Sequence, residues 1–191
     1  DLGGYKGYLC HLKGQILIRV LFLSAAFCAA LFAGSYNTFL LETQLTLLPK
    51  ISILEKSKSV VGDNIELIIV HGVGDDDTAE YAAQFLEGKF GGKLGKYNLK
   101  VTITTFDKCC PPVRPSLIYC LNGTQEQLSK VQSFIRATNT VSAVYDSEYL
   151  KNGFLFSVTL ERHPVVLMNK KVLKDRGLEF PQTLYAIVKA I

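Results

Sequence analysis

Hydrophobic positions follow three patterns along the 191 residues. The first is continuous: residues 16–33 are apolar apart from Arg19 and Ser24, with Lys6 and Lys13 upstream. A basic start, an apolar stretch at 20–32 and small residues beyond it read as an export signal, with Cys28 and Ala30 as a small-x-small cleavage site. Counted as a helix, the stretch approaches the ~20 residues that span a bilayer, so an uncleaved anchor is the rival expectation. Either way 1–33 form a leader and 34–191 a single domain held outside the cytoplasm, because the basic residues stay inside. The expected location is periplasmic, diffusing or tethered according to whether the leader is cut.

The second pattern has helical spacing. Phe39, Leu40, Leu41, Leu45, Leu47, Leu48, Ile51 and Leu54 predict a first helix over 36–54, which Pro49 should kink or end. Asp77 and Glu80 are spaced as a capping box ahead of Tyr81, Ala82, Phe85 and Leu86, a helix stopping at Gly91-Gly92. Leu128, Val131, Phe134 and Ile135 define another over 125–137. A lysine-rich helix should run from Asn169 to Arg176 with Gly177 as its cap, and a last helix over 181–191 carries Leu184, Tyr185, Ile187 and Val188.

The third pattern belongs to strands. Residues 65–70 are apolar except for Glu66, as in a strand buried on both faces. Runs at 99–105, 117–121 and 141–145 follow, the last leading into a short turn or helix at 146–151. Residues 154–160 and 165–168 pair as a hairpin around 161–164. Alternation of this kind predicts an α/β class: a single three-layer Rossmann-like domain with a mostly parallel sheet, a C-terminal antiparallel hairpin and a final helix.

Charge narrows the partners. The chain has 21 basic and 17 acidic side chains, and the leader holds Lys6, Lys13, Arg19 and Asp1, which brings the domain close to neutral. Without a basic stripe interleaved with aromatics, nucleic acid is not an expected partner. Cys109, Cys110 and Cys120 are an odd number in an oxidising compartment. Two readings stay open: a Cys110–Cys120 disulfide across a proline-rich loop, or Cys120 packed as a small hydrophobe within a strand. Adjacent Cys109 and Cys110 lack zinc-ligand spacing and have no histidine nearby, so neither a metal nor a cofactor is expected.

Residues 71–77 (His-Gly-Val-Gly-Asp-Asp-Asp) follow the first strand, where a nucleotide-binding turn would sit. Asp77 replaces the third glycine and three carboxylates would face a pyrophosphate, which excludes that ligand; calcium spacing is also absent. Turn and N-cap chemistry explain these residues, while Gly72, Gly74 and Asp75 are the candidate ligand turn if the domain is a small-solute-binding module. Lys89, Lys93, Lys96 and Lys100 surround a glycine-rich turn that reads as solvated. His71 and His163 have no nucleophile or second ligand at recognisable spacing, and there is no G-x-S-x-G elbow, so no enzyme is expected. Asn122-Gly123-Thr124 matches a glycosylation sequon, but a turn accounts for it.

The C-terminal third carries a resemblance. Asn152-Gly153-Phe154 through Met168-Asn169-Lys170-Lys171-Val172, then Arg176-Gly177-Leu178-Glu179-Phe180 and Leu184, resembles the YfiR-like family of small periplasmic proteins. The resemblance implies a non-enzymatic repressor that binds the periplasmic part of a membrane-bound diguanylate cyclase and keeps cyclic di-GMP and biofilm signalling low. It also implies an outer-membrane lipoprotein as antagonist; a homodimer is a separate expectation for this chain. Family members commonly place a cysteine just before the strand equivalent to 117–121; here Cys109 and Cys110 come earlier and Cys120 lies within it, which weakens the case for redox control.

Overall fold

The computed structural model describes residues 36–56, 63–109 and 114–191. The leader, with both expectations for its processing, and Cys110, with its proposed disulfide, lie outside the described residues. The described residues belong to one unit, Tyr36–Ile191.

Strand β1 (Asn64–His71) sets the layout. Ile65, Leu67 and Ile69 enter one core and Ile68 and Val70 the other, so its apolar run, broken only by Glu66, reflects burial on both faces. Around it lie β2 (Lys93–Leu94), β3 (Tyr97–Thr105), β4 (Leu117–Cys120), β5 (Val141–Val144), β6 (Phe156–Leu160), β7 (Pro164–Met168) and β8 (Lys189–Ala190). Among the described residues these form one sheet in the order β2-β3-β1-β4-β5-β6-β7-β8. Strands β3, β1, β4, β5 and β6 are parallel; β2 and β7 are antiparallel to β3 and β6. From β1 the chain goes outward to β3, then crosses back to β4 on the opposite side. The strand order therefore reverses between β1 and β4.

Helices α1 (Thr38–Ser52) and α2 (Asp76–Phe90) cover one face through Leu41, Leu45, Leu48, Ala79, Ala82 and Leu86. Helix α3 (Gln125–Thr138) and a 3-10 helix (Ser147–Asn152) cover the other through Leu128, Val131, Ile135 and Leu150. Two short helices, α4 (Lys170–Asp175) and α5 (Gln182–Tyr185), add Val172 and Leu184 to the first core. This is the expected three-layer α/β arrangement, hairpin included.

Local departures have physical reasons. Helix α1 does not end at Pro49 but continues to Ser52. The proline costs about 3 kcal/mol in a helix interior, and burying Leu48 and Ile51 on the sheet returns about 1.5–3 kcal/mol each. Asp77 and Glu80 do not form a capping box: α2 starts two residues early, behind Asp75, whose side chain makes no capping bond. The box is built instead at α3, where Thr124 accepts from the Gln127 amide and Gln127 reaches back to the Thr124 amide.

The final helix is also shorter than its apolar spacing suggests. It stops at Tyr185, and Lys189 and Ala190 run parallel to β7 opposite Leu167 and Met168. The Ile191 amide donates to the Met168 carbonyl at 2.9 Å and the Lys170 amide to the Ile191 carbonyl at 3.1 Å. An open edge supplies these partners, and edge pairing overrides helical periodicity. Among the described residues, no helix is long and apolar enough to cross a membrane.

Candidate functional site

At a reversal of strand order the loops on the two sides diverge and leave a crevice at the C-terminal ends of the strands. Here the walls are residues 72–75 after β1 and 122–124 after β4. They approach closely at Gly72, where an added Cβ would lie 3.6 Å from the Asn122 carbonyl oxygen and 3.7 Å from Asp75 Oδ2. Gly123 is tighter still, because a Cβ there would sit 2.6 Å from Cζ of the buried Phe106.

Tyr36 spans the crevice. Its hydroxyl donates to Asp75 Oδ2 at 2.9 Å and accepts from the Asn122 backbone amide at 2.9 Å, so one side chain joins both walls. Its ring meets Tyr145, at the end of β5, edge to face with centroids 4.7 Å apart. The neighbouring Asn37 amide donates to the Tyr145 hydroxyl at 2.7 Å. Asn122 Oδ1 is buried there with no hydrogen-bond partner.

The electrostatics follow from this packing. Burial pushes the Tyr36 hydroxyl well above its ordinary value, against the Asn122 amide and with the help of Asp75. Burial also raises the Asp75 carboxyl, while the Tyr36 hydroxyl and His71 pull it back. His71 is buried with Nδ1 2.9 Å from the Gly72 carbonyl oxygen. A carbonyl only accepts, so that nitrogen carries the proton and fixes the tautomer.

Helix α1 holds Tyr36 and Asn37 in place through Gln44, a fully buried side chain. Gln44 Nε2 donates to the Tyr145 carbonyl at 2.9 Å and the Val158 carbonyl at 2.8 Å, and Oε1 accepts from the Tyr119 hydroxyl at 2.5 Å. The network ties α1 to β4, β5 and β6. Beside it, Asn37, Leu40, Tyr145, Ser147, Val158 and Leu160 border a further cleft of about 320 Å³ on the same sheet end.

Of the residues singled out by sequence, Gly72 and Asp75 lie in the crevice, while Gly74 shapes the exposed turn with a φ of 92°. Cys120 is fully buried in the second core. The lysine cluster is dispersed: Lys93 belongs to the small β2–β3 hairpin, Lys89 lies over Phe85, Lys96 over Tyr97, and Lys100 faces Glu66. His163 is exposed in the β6–β7 turn. Among the described residues no three His, Cys, Asp or Glu side chains are grouped as a metal site. Tyr36, Tyr145 and the Asn122 side chain were not legible as site residues. The one signal was position, since Asn122 directly follows a buried strand at the reversal.

No family model and no curated protein sequence matches the chain. Among solved structures it is similar to an ABC domain in complex with L-Trp from Streptococcus pneumonia, with a TM-score of 0.52 and 9% identity over 79% of this chain and 60% of that one. A conserved domain protein from Vibrio cholerae has a TM-score of 0.49 and 13% identity over 78% of this chain and 59% of that one. The chain spans about 60% of the length of the first of these structures. The likeness to it is one of fold, an α/β domain around a mostly parallel sheet.

Proposed function

We propose that this domain is a small-solute-binding module whose site is the crevice between the β1 and β4 loops, and that it binds rather than catalyses. The observation that carries this reading is the Tyr36 bridge. A ring packed edge to face against Tyr145, with one polar atom that both donates to Asp75 and accepts from the Asn122 amide, occupies the place and uses the bonds that a ligand would. The partnerless Asn122 Oδ1 offers one more acceptor. A solute suited to these groups has an aromatic body and a donor head such as an ammonium or hydroxyl, which makes aromatic amino acids the first class to try. The L-Trp complex of the similar ABC domain agrees with that choice.

The test is a thermal-shift screen of the purified protein against the amino acids and common phenols and amines. A ligand at 100 times its dissociation constant stabilises the native state by about 2.7 kcal/mol, a readily measured rise in midpoint. The expected result is a rise confined to aromatic solutes with a donor head, and a screen without any shift refutes the reading.

The repressor role implied by the YfiR-like resemblance is a second reading. Val73, 92% exposed at the crest of the β1 turn, and Phe39, 64% exposed on α1, favour a protein contact there. On that reading, deleting the gene raises cyclic di-GMP, and Val73→Asp with Phe39→Asp does the same. An unchanged level in the deletion strain refutes it.

A further inference from the structure

At the opposite end of the sheet, where β5 and β6 begin, the ends of α3, the 3-10 helix and α4 enclose a cleft of about 720 Å³. Its lining includes Arg136, Lys151, Lys171 and Arg176, with Asp175 the one carboxylate. Lys171 lies 2.5 Å from Asp175 and Lys151 3.0 Å from Glu148, so those two ammonium groups have counter-ions. The guanidinium groups do not share that compensation. Among the described residues Arg136 makes no ion pair; its Nη2 lies 3.6 Å from the Cβ position of Gly153, whose φ of 103° and missing side chain leave that space open.

Arg176 is anchored by Nε to Asn139 Oδ1 at 3.3 Å and by Nη2 to the Thr140 carbonyl, and its Nη1 is buried without a partner. Arg114 stands nearby, donating from Nη2 to the Asn139 carbonyl at 2.8 Å and lying 3.9 Å from Glu55. Burial, then Arg114, brings Arg176 down to about 10, with Glu55 opposing and Arg136 acting in the same direction. The C-terminal dipole of α3 amounts to roughly half a negative charge and does not balance Arg136 and Arg176, the two guanidinium groups that line the cleft. The cleft therefore carries a surplus of positive charge and a surplus of donors.

We propose that this cleft binds a small phosphorylated anion, with its phosphoryl group between Arg136, Lys171 and Arg176 and its body in the remaining volume. Forked guanidinium donors match phosphoryl oxygens, and the space exceeds what a bare ion fills. The site is independent of the crevice at the other end of the strands.

Isothermal titration of the purified protein with pyrophosphate and with glycerol 3-phosphate tests it. Both should bind saturably, and the combined exposed-site substitutions Arg136→Ala and Lys171→Ala should raise the dissociation constants about tenfold or more while unfolding is unchanged. Tyr36→Phe should leave them unaltered, which separates this site from the proposed solute crevice. Absence of saturable heat with glycerol 3-phosphate overturns the proposal. So does binding that the double substitution changes by less than about twofold.

Discussion

Replacing Gln44 by leucine removes the one polar side chain that α1 inserts beneath the crevice. Leucine fills most of the same volume, so the cost is polar rather than steric. The Tyr119 hydroxyl, sealed from water, loses its acceptor, and the Tyr145 and Val158 carbonyls each lose a donor. An orphaned buried donor costs about 1–3 kcal/mol, and the Tyr145 carbonyl keeps the Ser157 hydroxyl at 3.4 Å, for a total of about 3 kcal/mol. Tyr119→Phe alone strands Gln44 Oε1 and should cost about 1–3 kcal/mol.

The double variant leaves neither member of the Tyr119–Gln44 bond unpaired. Its cost should fall below the sum of the singles by at least about 1 kcal/mol, well outside the ~0.5 kcal/mol scatter of independent sites. Urea unfolding of wild type, both singles and the double measures the cycle. Additive singles, or a Gln44→Leu cost below about 1 kcal/mol, refute the claim that this network fixes α1.

Three further perturbations probe the crevice. Tyr36→Phe leaves the Asn122 amide and Asp75 without their shared hydroxyl and should cost about 1–2 kcal/mol in denaturant unfolding. Gly123→Ala places a methyl 2.6 Å from the Phe106 ring, and overpacking of this kind costs about 1–3 kcal/mol, read by the same method. Asp75 sets a pH dependence: its carboxyl is raised from 3.8 in the folded state, so folding takes up a proton. The resulting stability is present below 3.8 and lost as pH rises through the higher folded value. Stability of wild type relative to Asp75→Asn should decline across that window, and a flat or rising difference contradicts the assignment.

The layered architecture was legible because burial on both faces leaves nearly continuous apolar strands such as 65–70, broken only by Glu66, and 117–121, while one-sided burial leaves helical spacing such as Leu128, Val131 and Ile135. What periodicity could not encode was competition from tertiary partners. Leu184, Tyr185, Ile187 and Val188 have helical spacing, yet the free edge of β7 takes Lys189 and Ala190 as a strand. Asp77 and Glu80 have capping-box spacing, yet Asp75 starts the helix with its carboxylate turned to Tyr36, 39 positions away. The candidate site is legible only in its β1 half: Gly72 and Asp75 stand in a recognisable strand-turn-helix context. Tyr36 carries no motif and enters the crevice only because Gln44 docks α1 across β4, β5 and β6.

The central claim is that Tyr36 stands in for a ligand, and a calorimetric titration of L-tryptophan into wild type and Tyr36→Ala tests it most directly. Removing the internal competitor should tighten binding about tenfold or more, since a site filled by its own side chain binds weaker in proportion to the fraction of time it is open. Adding Asp75→Ala should abolish the gain. Equal affinity with and without the Tyr36 side chain, or no binding to either protein, contradicts the account.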